Sequence, residues 1–148
     1  FSRDTSCHLA NTWILGWALT DMQTTLSGPS DFQPDESVKD LLTDAGLECN
    51  FEFVDDPMKA VKDADVVYTD VWVSMGKETE KTDRIPKMKP YSVTPAIMNA
   101  ANKDALFMHS LTAHPQEVLD GERSIVYDQA ENRLHTQKSI LARLAESK

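Results

Sequence analysis

Residues 108–115 read MHSLTAHP, which sets two imidazoles, His109 and His114, beside two hydroxyls, Ser110 and Thr112. The segment before them, DALFMH from Asp104 to His109, is apolar and strand-like, so the polar cluster falls where a strand ends. Two kinds of chemistry can be asked of such a cluster. A serine nucleophile needs only hydrogen-bond reach to a histidine base, so Ser110 with His109 or His114 is conceivable as such a pair. No Gly-x-Ser-x-Gly elbow surrounds Ser110, which argues against a serine hydrolase. A metal centre from Asp70, His109 and His114 has no helical i, i+4 pair and no cysteine support, so no metal is expected. Two further charged residues stand out, Asp70 closing the strand DVVYTDVW and Arg133 lying in AENRLH. Each residue also has a structural reading. Asp70 could cap the turn that follows its strand, Arg133 could sit in a surface ion pair, and His109 could be satisfied by backbone. His8 and His135 lie on helices with no role assigned, and Trp13 and Trp17 are expected in the core.

The elements that must position these residues alternate in type. CHLANTWILGWALT has apolar residues at a helical period, with Asp4, Thr5 and Ser6 as capping candidates. MQTTLSGP predicts a strand ended by Gly28 and Pro29, and PDESVKDLLTDAG a helix with Pro34 at its start and Gly46 at its stop. LECNFEFV is a strand, DPMKAVKDA a short helix and DVVYTDVW a strand. SMGKETEKTDRIPKMKPYSV is long, polar and charged, and reads as a functional loop. TPAIMNAAN predicts a helix capped by Thr94, DALFMH and RSIVYD two strands, and AENRLHTQKSILARLAE a closing helix.

This alternation implies an α/β fold, a doubly wound, Rossmann-like parallel sheet with helices on both faces. Ligands in such folds sit at the carboxyl ends of strands, where Asp70, His109, Ser110 and the stretch Asp128–Arg133 are expected. A doubly wound domain that opens on a helix lacks the strand that should feed it. FSRD is too short to be more than its stub, so the first strand is expected to come from elsewhere.

Size and charge narrow the function. The 148 residues, 41% of them apolar, suit one domain with a real core. A net charge of −9 repels phosphate backbones and anionic membranes, so nucleic acid is not an expected partner. The longest apolar run, around Trp13 to Leu19, is broken by Gly16 and falls short of the ~20 residues that span a bilayer, which predicts a soluble protein with no membrane insertion. Two lone cysteines, Cys7 and Cys49, fit a reducing compartment better than a disulfide scaffold.

DVVYTDVWVSMG (65–76), ALFMHSL (105–111) and DQAENRLHTQKSIL (128–141) together resemble the ornithine-binding domain of the ornithine carbamoyltransferase family. The resemblance runs from about residue 4 to the end and makes residues 1–148 one such domain, without the carbamoyl-phosphate domain. It implies transfer of a carbamoyl group from carbamoyl phosphate to L-ornithine, with no cofactor. By the same resemblance Asp70 holds the ornithine amine, and Ser74 and Met75 belong to a Ser-Met-Gly loop that grips the amino-acid end. Arg133 then helps polarise the carbamoyl group, and His109, Ser110 and Leu111 occupy the place of the family's His-Cys-Leu segment. These types make chemical sense, since a carboxylate orients an ammonium and a guanidinium stabilises oxygen charge as the amine attacks.

The sequence also departs from the family. Ser110 and Thr112 stand where the family has Cys and Pro, and a cis bond costing ~0.5–1 kcal/mol before proline costs ~2.5–4 before threonine. The Leu111 carbonyl is therefore expected on a trans bond. RDTSCHLAN replaces the Gly-Asp-Gly-Asn-Asn turn. The expectation is a carbamoyltransferase-derived domain that is inactive alone and serves as a structural or accessory subunit. The alternative is the ornithine-binding half of an active enzyme. The apolar stripe Leu134, Ile140, Leu141 and Leu144 is expected to lie against another polypeptide, which would also complete the sheet. The family implies a bacterial cytoplasm or mitochondrial matrix.

Overall fold

The computed structural model describes residues 8–20, 22–34, 36–48, 51–73, 81–110 and 118–146. The chain divides into two compact units, one of residues Phe1–Asp63 and Trp72–Ser92, the other of Ala64–Val71 and Val93–Lys148.

In the first unit α1 (His8–Ala18) leads to β1 (Thr24–Leu26), then α2 (Ser37–Asp44), β2 (Phe51–Phe53), α3 (Pro57–Ala60) and α4 (Lys81–Met88). Its core forms where Ile14 of α1 meets Val38 and Leu42 of α2, with Leu15, Ala18, Leu26, Leu47 and Phe51 packed around them. Val38 and Leu42 are one helical turn apart, so α2 buries a narrow apolar stripe and leaves its charged residues outside. The helix stops at Gly46, whose φ of +68° is a left-handed geometry that glycine adopts without strain. Asp56 caps α3 by accepting the Met58 N–H at 3.0 Å, and Pro57 takes the first-turn place that needs no donor. Trp13 and Trp17 stack at 4.9 Å, but both are half-buried, so the core contact of α1 is Ile14 rather than the tryptophan pair.

The stretch expected as one long loop contains α4. This helix is polar and has Pro86 inside it, yet it is anchored at a 3₁₀ turn, Ser30–Phe32. The Arg84 guanidinium lies 4.8 Å from the Phe32 ring centroid and the Lys87 ammonium 5.9 Å from it. Lys87 also donates to Asp31 at 2.8 Å. Those contacts join residues about fifty positions apart, and local composition does not encode them.

In the second unit β3 (Val66–Thr69) and β4 (Leu106–His109) pair in parallel, with α5 (Pro95–Ala100) between them in sequence and α6 (Val126–Glu146) after them. Phe107 is fully buried, with Ala105, Met98, Ile97, Val93, Val67 and Val126. Thr94 caps α5, as its sequence predicts, by accepting from the Ile97 N–H. The other end of α5 is held by Arg123, whose guanidinium donates to the carbonyls of Met98, Asn102 and Lys103 and to the Asn99 side chain.

RSIVYD is not a strand. Only Ser124 bridges, in parallel, to Phe107, and the chain turns into α6 at Val126. The 21 residues from Val126 form one helix, and Asp128 in its first turn suits the positive amino end, so the helix begins inside the expected strand, at Val126.

The four described strands make two separate two-stranded parallel ladders, β1–β2 and β3–β4. This is an α/β architecture of the Rossmann-like kind. Among the described residues each ladder has a strand edge with no strand beside it, and the FSRD segment, read as the stub of a first strand, lies outside the described residues.

Candidate functional site

The site is built where β3 and β4 end side by side. Their register pairs Val66 with Leu106 and Thr69 with His109, so the next residues, Asp70 and Ser110, leave the ladder as neighbours. The Ser110 hydroxyl donates to Asp70 Oδ1. The same oxygen accepts the Val71 N–H at 2.7 Å. Two donors therefore fix one oxygen of a half-buried carboxylate, while Oδ2 meets no donor among the described residues. A fixed carboxylate with one open oxygen can receive a cation and orient it.

His109 is buried at 1% exposure, its ring 6.4 Å from that of Phe107 and tilted by 53°. Its main-chain N–H donates to Gln129 Oε1 at 3.0 Å. This is a positioning contact from α6, and a buried imidazole packed on Phe107 fits a scaffold role better than direct substrate contact.

Arg133 lies about two turns into α6 rather than at the end of a strand, because the last expected strand is helix. It is exposed and makes no hydrogen bond or ion pair with the described residues. Of the residues singled out from sequence, the structure thus brings Asp70, Ser110 and His109 together and leaves Arg133 on the open face of α6. Ser74, Met75, Leu111, Thr112 and His114 lie outside the described residues. His135 bonds Glu131 at 3.1 Å along the same helix, an ordinary i, i+4 pair.

Sequence reasoning overlooked Gln129. Its one sequence signal is a place four residues before Arg133, on the same helical face, and nothing in the segment announces its bond to a strand end.

The chain is similar to known proteins over most of its length. The ornithine carbamoyltransferase of Methanoculleus marisnigri is 44% identical over 142 residues, which cover 93% of this chain and 45% of that protein. Among solved structures, ornithine carbamoyltransferase from Pyrococcus furiosus matches with a TM-score of 0.78 and 40% identity, covering 90% of this chain and 45% of that one. The anabolic enzyme from Campylobacter jejuni matches with a TM-score of 0.82 at 26% identity, over 94% of this chain and 48% of that one. The chain spans about half the length of the relatives it matches. Residues 1–144 match the family described as aspartate/ornithine carbamoyltransferase, Asp/Orn binding domain, and the chain belongs to that family.

Proposed function

We propose that this chain binds L-ornithine, with Asp70 receiving the side-chain ammonium. The observation that carries the reading is the inequality of the two Asp70 oxygens: Oδ1 is held by the Val71 N–H and the Ser110 hydroxyl, and Oδ2 meets no donor among the described residues. Relatives named ornithine carbamoyltransferase support the substrate class. Arg133, on an exposed helix face, is free to meet a carbamoyl oxygen once other parts of the active site are brought to it.

Carbamoyl transfer requires both substrates held together, and the residues present build only the ornithine side. The chain alone is therefore inactive in transfer. Another polypeptide region, upstream in the same gene product or in a separate subunit, covers the α6 stripe and adds a strand beside β1. A retired copy of the domain, kept as an accessory subunit, is the second reading, favoured by Ser110 and Thr112 in place of the family's Cys and Pro.

Calorimetric titration with L-ornithine tests the proposal. Saturable binding near millimolar, about −4 kcal/mol, is expected, and Asp70→Asn should abolish it. Absence of binding, or binding untouched by Asp70→Asn, removes Asp70 as the ammonium receptor and leaves the accessory reading.

A further inference from the structure

β4 continues on its outer edge as a parallel ladder for one bridge only. The Phe107 N–H donates to the Arg123 carbonyl at 2.8 Å, and the Ile125 N–H donates to the Phe107 carbonyl at 3.0 Å. In a parallel ladder the next bond would run from the His109 N–H to the Ile125 carbonyl. That carbonyl is already taken: the Gln129 N–H occupies it at 2.9 Å, as part of the first turn of α6. The helix thereby withdraws the acceptor that the strand end needs.

Gln129 returns it. Its side-chain Oε1 accepts the His109 N–H at 3.0 Å, standing where the Ile125 carbonyl would have stood. One residue thus closes the helix with its main chain and extends the ladder with its side chain. The next residue along β4 is Ser110, whose hydroxyl holds Asp70.

We propose that Gln129 is a positioning residue, whose side-chain oxygen keeps the end of β4 extended so that Ser110 reaches Asp70 and leaves the second carboxylate oxygen facing a ligand ammonium. Its functional consequence rests on the ornithine reading above, whereas the positioning itself does not. A hydrogen-bond acceptor of this length is the requirement at position 129. Glutamate meets it; methionine, similar in size, does not.

Solution NMR on the full chain tests the proposal. In the wild type, a coupling through the hydrogen bond should join the His109 amide nitrogen to Gln129 Cδ, and its absence overturns the proposal without any variant having to fold. Gln129→Met should speed exchange of the His109 amide about tenfold, as expected for loss of one hydrogen bond. It should also move the Asp70 Cγ resonance in the direction that Ser110→Ala moves it. Gln129→Glu should leave both signals near their wild-type values. In the double variant Gln129→Met, Ser110→Ala the Asp70 signal should move no further than in Ser110→Ala alone, because both changes break one chain of contacts. An Asp70 signal that stays put in Gln129→Met but moves in Ser110→Ala overturns the role, as does strict additivity in the double variant. L-Ornithine added to the same samples separates the two readings. If the wild-type Asp70 signal ignores ornithine while the variants behave as described, the ornithine reading falls and the positioning role stands.

Discussion

The two oxygens of Asp70 differ because neighbouring donors make them differ, and that inequality depends on a serine. A hydroxyl is a stronger donor than a thiol, so Ser110→Cys should weaken the hold on Asp70. A second charged residue behaves in a way that titration can check. The hydrogen bond from Lys87, and then its positive charge, hold the Asp31 carboxyl below its ordinary value of 3.8. A lowered carboxyl pKa contributes stability above the unfolded value, and the contribution is lost as pH falls through the folded one. Asp31 is fully exposed, so the effect is local and salt-sensitive. Lys87→Met should return the Asp31 carbon resonance to ordinary titration, while a wild-type Asp31 that already titrates normally would show that the pair does not persist in solution.

Among the elements, α5 has only six residues and depends on its ends. Thr94 holds the first turn and Arg123 the last carbonyls, where a guanidinium also complements the negative helix end. Arg123→Met should lower unfolding free energy by about 1–3 kcal/mol in urea, since it leaves partly buried carbonyls without their charged donor. Arg123 also supplies its main-chain carbonyl to the Phe107 N–H, a bond that Arg123→Met retains, so the variant reads the side-chain contacts alone. α2 and α6 make a contrast. Leu42→Ala, at a fully buried site, should cost about 2–5 kcal/mol. Leu141→Lys, at a site 66% exposed, should change the stability of the chain alone by no more than about 0.5 kcal/mol. A large loss from Leu141→Lys would mean that α6 is covered within this chain after all.

For the molecule as a whole, the expected outcome is that the chain forms no citrulline from carbamoyl phosphate and L-ornithine by itself. Product formed by the purified chain would revive the reading of a self-sufficient enzyme. The two ladders lead to a second expectation. A strand of ~5 residues carries several backbone groups, each costing on the order of 1–3 kcal/mol if buried unpaired, against a total stability of ~5–15 kcal/mol. An open ladder edge is therefore a place for strand addition. Amide exchange measured on the chain alone, and again with the remaining half of a full-length relative supplied, should show new protection at Thr24–Leu26. Unchanged exchange there would mean that β1 takes no strand.

Sequence alone determined the alternation of elements. Val38 and Leu42 at helical spacing, Gly46 at a stop, Asp-Pro at the opening of α3 and Thr-Pro at that of α5 are local signals, and local backbone preferences obey them. The motifs that end at Asp70 and Ser110 were legible for the same reason, since a short apolar run followed by polar residues marks a strand end. Only tertiary structure decided what those residues touch. The Asp70 to Ser110 bond spans forty positions and exists because β3 and β4 pair in one register. The cation–π anchoring of α4 on Phe32 likewise needs two distant segments in contact. RSIVYD, whose β-branched residues predict a strand, became the start of a helix because the longer helical segment behind it captured the Ile125 carbonyl. Gln129 then acquired a task that no local pattern contains: it supplies from a side chain the acceptor that the main chain had withdrawn.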